Sequence, residues 1–254
     1  MDNAISVERV IAKLDEHLNR NDYAAARRHL DHWLAEAEAA HDLRGKLSLL
    51  NEKIGLHRKL GERAEAFAAA DGALALARQL GLEHSVTMGT TLINAATACK
   101  AFGQADLALP LYREAKALYE SLLPAHDSRL GGLYNNMALA LVDLGFFREA
   151  EQLYQAAMDV MATAPNGELD IAISWCNLAD LAAAELGPEQ AEPRIADCLA
   201  RAEALLDTES LPRNGYYAFV CEKCAPCFGY YGYFLTEQRL RQQAEEIYAK
   251  NRQI

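Results

Sequence analysis

The sequence lacks the features that mark most membrane, secreted and nucleic-acid-binding proteins. No apolar run approaches the roughly 18 residues of a membrane span, and the first ten residues lack the basic patch and apolar core of a signal peptide. Positive charge is scarce, because 25 Lys and Arg stand against 36 Asp and Glu, whereas a nucleic-acid-binding face needs the opposite balance. We therefore expect a cytoplasmic protein with no membrane segment and no nucleic-acid partner. Its six cysteines should be reduced thiols.

Motifs for catalysis and cofactor binding are also missing. The sequence has no Gly-rich phosphate loop, no HExxH and no nucleophile elbow. The spacing Cys221-x2-Cys224-x2-Cys227 would let two thiolates on one helical face meet a metal ion, but no fourth ligand lies nearby and Pro226 interrupts the motif. We expect buried thiols there, with a metal site as the alternative. The chain should have no catalytic residues and no cofactor.

What the sequence does contain is a repeat of 42 residues. Four glycines follow this period, and each is followed after four or five residues by an alanine: Gly61 with Ala66, Gly103 with Ala108, Gly145 with Ala150, and Gly187 with Ala191. Apolar residues at helical spacing flank each glycine, which predicts two amphipathic helices joined by a left-handed helix end. The alanines should let the two helices approach closely. Such a pair cannot bury its apolar faces alone, so the pairs must stack on one another.

This pattern predicts an all-α chain of about six helix pairs in one repeat domain. Its expected parts are an atypical pair at 1–41, regular repeats at 42–207, a loop at 208–215 and an aromatic-rich pair at 216–254. The copy AEEIYAKN from Ala244 matches AEQLYQAA from Ala150, which puts Arg239 in the place of the last turn glycine. Pro110 and Pro193 are expected in the first turn of their helices, where proline costs little.

These residues resemble the tetratricopeptide repeat. A small residue is followed by Gly seven or eight positions on, Ala twelve on and then a Leu-Tyr pair, and the 42-residue spacing with NNMALALVDLGFFREAEQLY is similar to the kinesin-light-chain type. The resemblance covers residues 45–205 well, although Ile54 stands where the family prefers Ala or Gly. It implies a right-handed superhelical solenoid of antiparallel helix pairs, in which the first helices line a concave groove that holds an extended peptide.

The resemblance also places a column of asparagines in that groove. Asn94, Asn136 and Asn177 each stand two residues before the small residue of a first helix, and Asn135 adjoins the column. An amide both donates and accepts, so these side chains could hold a peptide backbone. The alternative is a hydrogen bond between repeats of the scaffold itself.

Charged residues on the same helices suggest a direction for the bound segment. They are Arg58, Lys59 and Lys100 in the early repeats, and Asp143 and Asp180 in the later ones. A segment with acidic residues toward the early repeats and basic residues toward the later ones would match them. The alternative is an ordinary solvated face.

The sequence therefore favours a non-catalytic adaptor that binds a protein or peptide segment. One alternative is a structural module that dimerises through residues 216–234, where eight aromatic residues crowd together, because Tyr and Phe are enriched at interfaces. The same aromatic residues could instead form a core under the terminal helix. A second alternative is a peptide-sensing regulatory subunit.

Overall fold

Every regular element that the computed structural model describes is an α-helix. It describes residues 4–251, and within them twelve helices follow one another as six consecutive pairs. The helices are α1 Val7–Asn19, α2 Tyr23–Ala39, α3 Leu43–Lys59, α4 Arg63–Gln79, α5 Val86–Ala101, α6 Ala105–Leu122, α7 Ser128–Asp143, α8 Phe147–Met161, α9 Glu168–Leu186, α10 Pro188–Leu206, α11 Gly215–Tyr230 and α12 Phe234–Asn251. The expected all-α fold is confirmed over this range. The outermost residues of the expected terminal pairs, 1–3 and 252–254, lie outside it.

The helix pairs are grouped into two units. Unit 1 is Met1–Leu123 and unit 2 is Pro124–Ile254, so that unit 1 holds α1–α6 and unit 2 holds α7–α12. Within each unit the two helices of a pair pack together. The odd-numbered helices are the first helices of their pairs, and they also contact one another: α3 contacts α5, α7 contacts α9, and α9 contacts α11. Among residues 4–251, no helix is both long enough and apolar enough to cross a bilayer.

Glycines in the left-handed region make the turns that the sequence predicted. Gly61, Gly103 and Gly145 have φ of +72°, +76° and +78°. After α7, the Gly145 N–H donates to Val142 O at 3.0 Å and the next N–H, that of Phe146, donates to Leu141 O at 2.9 Å. This pair of bonds satisfies the last carbonyls of the helix and reverses the chain.

The turn of the last pair is not where the sequence placed it. Gly232, with φ +86°, makes this turn 45 residues after Gly187, whereas Arg239 lies inside α12. Ala150 follows its turn glycine by five residues, but Ala244 follows Gly232 by twelve. The difference of seven residues is nearly two helical turns and leaves the same face inward, so the apolar pattern alone could not exclude the wrong register.

The prolines also lie deeper in their helices than expected. Pro110 is the sixth residue of α6 and Pro193 the sixth of α10, because these helices begin at Ala105 and Pro188. The first-turn assignment was therefore wrong. At the sixth position a proline removes an N–H that would otherwise donate within the helix. Pro188 is the residue that does open a helix, at the position where that loss costs least.

Small residues bring the helices of a pair together, as predicted. All four repeat alanines are at most 1% exposed: Ala66, Ala108, Ala150 and Ala191. A second column was not anticipated and consists of Gly89 and Gly131, which are also 42 residues apart. A Cβ atom at Gly89 would lie 2.5 Å from Tyr119 Cε1, and one at Gly131 would lie 2.7 Å from Met161 Sδ. Glycine at these positions permits the close contact of α5 with α6 and of α7 with α8.

Candidate functional site

Three polar side chains join first helices α3 and α5 in unit 1. Asn51 of α3 donates from Nδ2 to Thr91 Oγ1 of α5 at 3.1 Å and accepts at Oδ1 from Asn94 Nδ2 of α5 at 2.9 Å. The Thr91 hydroxyl is fully buried and donates to Thr87 O at 3.0 Å. We name Asn51, Thr91 and Asn94 the Asn51 clasp. It links two stacked helices through partly buried hydrogen bonds, which fix their register.

Unit 2 repeats this arrangement between α7 and α9. Asn135 Oδ1 accepts from Asn177 Nδ2 at 3.1 Å and lies 3.4 Å from Ser174 Oγ, whose residue is 2% exposed. We name Asn135, Ser174 and Asn177 the Asn135 clasp. In both units the later helix of the two, α5 or α9, contributes a hydroxyl residue and, three positions further along, an asparagine. The two side chains therefore lie on one helical face.

The clasps show how the predicted asparagine column is used. Asn94 and Asn177 do make the inter-repeat hydrogen bonds that were the scaffold alternative, and Asn177 pairs with Asn135 while the adjacent Asn136 lies half-buried on α7. Both bonds engage Nδ2. Among the described residues, the Oδ1 atoms of Asn94 and Asn177 have no hydrogen-bond donor, and both residues are half-buried. Each clasp therefore leaves one fixed acceptor that a bound backbone N–H could use.

The predicted basic residues of unit 1 lie near the ends of their helices. Arg58 and Lys59 are exposed in the last turn of α3, and Lys100 is half-buried at the end of α5. The Lys59 ammonium lies 5.3 Å from the centroid of the Tyr23 ring on α2, so it leans toward the preceding pair. Cations at helix C-termini also interact favourably with the helix dipole.

The predicted acidic residues of unit 2 lie on α7 and α9. Asp143 is exposed at the last position of α7. Asp180 is exposed on α9, and its carboxylate accepts from Tyr231 Oη at 3.0 Å and lies 3.7 Å from Cys227 Sγ. Desolvation by the surrounding protein raises the pKa of Asp180 even though these two hydrogen bonds oppose the shift.

The three cysteines of the possible metal motif are buried but do not share one neighbour. Cys224 and Cys227 both interact with the Cys176 thiol on α9, and Cys227 Sγ lies 3.6 Å from Cys176 O, whereas the thiol of Cys221 interacts with Tyr217. The neighbouring Cys176 thiol and burial raise the pKa of Cys227, and burial raises that of Cys221, so both favour the neutral thiol. Within residues 4–251 no three His, Cys, Asp or Glu side chains form a metal-binding group.

A buried histidine that the sequence did not single out links three helices of unit 1. His57 of α3 is 3% exposed, and its Nδ1 lies 2.6 Å from Glu62 Oε2 at the start of α4. Glu62 also pairs with Arg27 of α2. Hydrogen bonds from His57 and then Arg27 lower the pKa of Glu62.

This linkage predicts an acid-sensitive difference between wild type and Glu62→Gln. The folded state holds the Glu62 pKa below its ordinary 4.5, so its stabilising effect is complete above that pH and is lost as the pH falls through the lower, folded-state value. Denaturant unfolding should find Glu62→Gln less stable than wild type near neutral pH, and the gap should close under acid. Glu65→Gln, an exposed position on the same helix, should show no such gap. An equal gap at all pH values would contradict the prediction.

Comparison with known proteins finds a family model that matches part of the chain. Residues 45–121 match the tetratricopeptide repeat model, which is the family that the 42-residue pattern resembles. No curated protein matches the chain in sequence. The matched segment runs from the third residue of α3 to the second-last residue of α6 and includes the whole Asn51 clasp.

Solved structures extend the likeness to most of the chain. A Podosopora anserina kinesin light chain with TPR-like repeats is similar at TM-score 0.56 and 17% identity, over 81% of this chain and 96% of that one. NprR in complex with its cognate peptide NprX is similar at TM-score 0.60 and 14% identity, over 94% of this chain and 66% of that one. A Rap protein complexed with the competence and sporulation factor is similar at TM-score 0.55 and 14% identity, over 95% and 74%. At these identities the likeness establishes the fold.

Proposed function

We propose that this tetratricopeptide repeat chain is a non-catalytic scaffold that holds an extended segment of a partner protein against the first helices of its repeats. The family match and the shared fold support this proposal. Two of the similar structures were solved as complexes, NprR with its cognate peptide NprX and the Rap protein with the competence and sporulation factor. Repeat proteins of this kind present extended surfaces built from successive units.

The observation that carries the proposal is the pair of clasps. Each one fixes an asparagine by its Nδ2 and leaves its Oδ1 on a half-buried side chain. An acceptor held in one orientation loses little side-chain entropy when a backbone N–H binds it. The amides recognise the peptide backbone, which is common to all sequences, so they supply affinity without selecting side chains.

Charge should set which segments each unit prefers. Residues 1–123 hold 15 Lys and Arg against 17 Asp and Glu, whereas residues 124–254 hold 10 against 19. We expect a segment bound by unit 1 to place acidic residues near Lys100, and a segment bound by unit 2 to place basic residues near Asp143 and Asp180. Exposed charge pairs contribute only about 0–1 kcal/mol each, so charge should set orientation and association rate more than affinity.

The test is selection of peptides from a random 12-residue phage library on the full chain, followed by calorimetry on variants. Asn94→Ala or Asn177→Ala should weaken binding of the selected peptides by about tenfold or more at any salt concentration. Each variant loses the proposed hydrogen bond from a peptide N–H to the asparagine Oδ1, which is worth roughly 1–3 kcal/mol when the peptide buries it. Lys100→Ala should weaken binding modestly, and only at low salt.

Asn51→Ala separates the orientation of Asn94 from its acceptor atom. The Asn51 amide is engaged inside the clasp by Leu47 O, Thr91 and Asn94, so its loss should lower stability and should weaken binding less than Asn94→Ala, because Asn94 loses its fixed orientation but keeps its Oδ1. If Asn94→Ala and Asn177→Ala bind the selected peptides like wild type and only unfold more easily, the asparagines serve the scaffold alone and the proposed binding surface is wrong.

A further inference from the structure

A cavity in unit 1 lies where α2, α3 and α4 meet, away from the clasps. Its volume is about 400 Å³, which is within the range of small-molecule sites. Leu50, Lys53 and His57 line it from α3, and their spacing of three and four residues puts them on one face of that helix. Asn51, which bonds α5 in its clasp, is turned by about 200° from Lys53 around the helix axis. The cavity is therefore separate from the proposed peptide-binding surface.

His57 supplies this cavity with a buried polar atom that no described residue satisfies. The side chain is 3% exposed, and its Nε2 has no hydrogen-bond partner among residues 4–251. Its Nδ1 lies 2.6 Å from Glu62 Oε2, at the turn between α3 and α4. The cavity extends from His57 in the other direction, along Lys53 of α3 and Ala69 of α4. Because the two ring nitrogens point away from each other, Nε2 is directed toward the cavity.

The contact with Glu62 also fixes the role of Nε2. A carboxylate can only accept hydrogen bonds, so the His57 Nδ1 atom carries the hydrogen between them. In the neutral imidazole Nε2 is then a lone-pair acceptor. A buried acceptor without a donor costs free energy, so a ligand that satisfies this atom must bring an N–H or O–H group.

Charges of both signs surround this acceptor. Lys53 donates to Asp31 Oδ1 at 2.6 Å and Arg27 pairs with Glu62, but an ammonium has three N–H donors and a guanidinium five, so both keep donors. Glu65 lines the cavity from α4, is exposed and has no ion pair among the described residues. A simple anion would face Asp31 and Glu65, whereas a simple cation would face Arg27 and Lys53. A ligand that carries both an ammonium and a carboxylate matches the lining.

We propose that this cavity binds a free α-amino acid with an apolar side chain. The ammonium of the amino acid donates to His57 Nε2 and pairs with Glu65, and its carboxylate accepts from Lys53. The side chain contacts the apolar part of the lining, which consists of Leu50, Ala68 and Ala69. This site goes beyond the proposed scaffold function and does not depend on it.

The test is calorimetry of the full chain with L-leucine, isopentylamine and 4-methylpentanoate. The amine is leucine without its carboxylate, and the acid is leucine without its ammonium. Leucine should bind at least about tenfold more tightly than either counterpart, because each counterpart loses one set of charge-assisted hydrogen bonds and leaves like charges facing it.

Three variants locate the binding site. His57→Asn keeps a donor near the position of Nδ1 but lacks Nε2, so it should weaken leucine binding by about tenfold. Lys53→Met removes the partner of the carboxylate and should weaken leucine binding by about threefold to fivefold. Lys46→Met is the matched control. Lys46 also pairs across α2 and α3, with Glu38, and its side chain is 27% exposed like that of Lys53, but it does not line the cavity. This variant should bind leucine like wild type.

Several outcomes would overturn the proposal. Binding of isopentylamine as tight as that of leucine would make this a site for simple cations, and equally tight binding of 4-methylpentanoate would make it a site for simple anions. No heat of binding with leucine would remove the site altogether. An equal loss in Lys46→Met and Lys53→Met would place the binding elsewhere. If His57→Asn keeps its helices by circular dichroism and binds leucine like wild type, the unpaired nitrogen takes no part and the assignment is wrong.

Discussion

Gly89→Ala should destabilise the protein by about 2 kcal/mol, in the usual range for overpacking a filled core. The new Cβ would lie 2.5 Å from Tyr119 Cε1 and 2.7 Å from its Cδ1. The Tyr119 ring is 2% exposed, and its hydroxyl lies 2.7 Å from Thr90 Oγ1, so the ring cannot withdraw without losing that bond. Gly131→Ala should cost less, because its Cβ meets the flexible thioether of Met161. Denaturant unfolding measures both changes.

Gly55→Ala is the matched control for these two substitutions. Gly55 lies inside α3, and a Cβ there would meet nothing within 4 Å. Alanine should therefore stabilise the helix by about 0.5–1 kcal/mol through its better helix propensity. If Gly89→Ala is as stabilising as Gly55→Ala, the close packing of α5 against α6 is not as described.

The turns could be predicted because they depend on local chemistry. A helix that ends in the left-handed conformation selects glycine over residues with a Cβ, so the 42-residue spacing of Gly61, Gly103 and Gly145 marks the turns directly. The last pair could not be placed in this way. The segment from Ala244 repeats the apolar residues of the segment from Ala150 on the same helical face. Moving the predicted turn by seven residues leaves that face almost unchanged, so the pattern could not fix the position of the turn. Gly232 makes this turn but does not follow the 42-residue period, so the repeat does not distinguish it from the glycines and aromatic residues around it.

The residues of the two clasps could be predicted only in part from the sequence, for a related reason. Neighbouring residues on a helix point about 100° apart, so whether Asn135 or Asn136 meets α9 depends on the rotation of α7, which packing decides. The paired asparagines are 43 residues apart in unit 1 and 42 in unit 2, and a fixed repeat length misses that difference. A usable signal was present in the local pattern, because Thr91 precedes Asn94 by three residues as Ser174 precedes Asn177.

Imperfect repetition also leaves one buried hydroxyl without a partner. Tyr112 and Tyr154 are 42 residues apart, and both are at most 1% exposed. Tyr112 Oη lies 2.9 Å from Thr97 Oγ1, whereas Tyr154 Oη has no hydrogen-bond partner among the described residues. The position 42 residues after Thr97 is Leu139, which offers neither donor nor acceptor. Burial raises the pKa of Tyr112 to about 12 and also raises that of Tyr154.

Tyr154→Phe should therefore stabilise the protein, and Tyr112→Phe should destabilise it, although both remove the same atom from the same repeat position. An unpaired buried hydroxyl costs about 1–3 kcal/mol, so its removal should recover about 1 kcal/mol. In Tyr112→Phe a hydrogen bond is lost and Thr97 is left unpaired, which should cost about 1 kcal/mol. Denaturant unfolding of the two variants at neutral pH should give opposite signs. Equal losses would mean that a bound water already satisfies Tyr154, and that the two repeats are energetically equivalent despite Leu139.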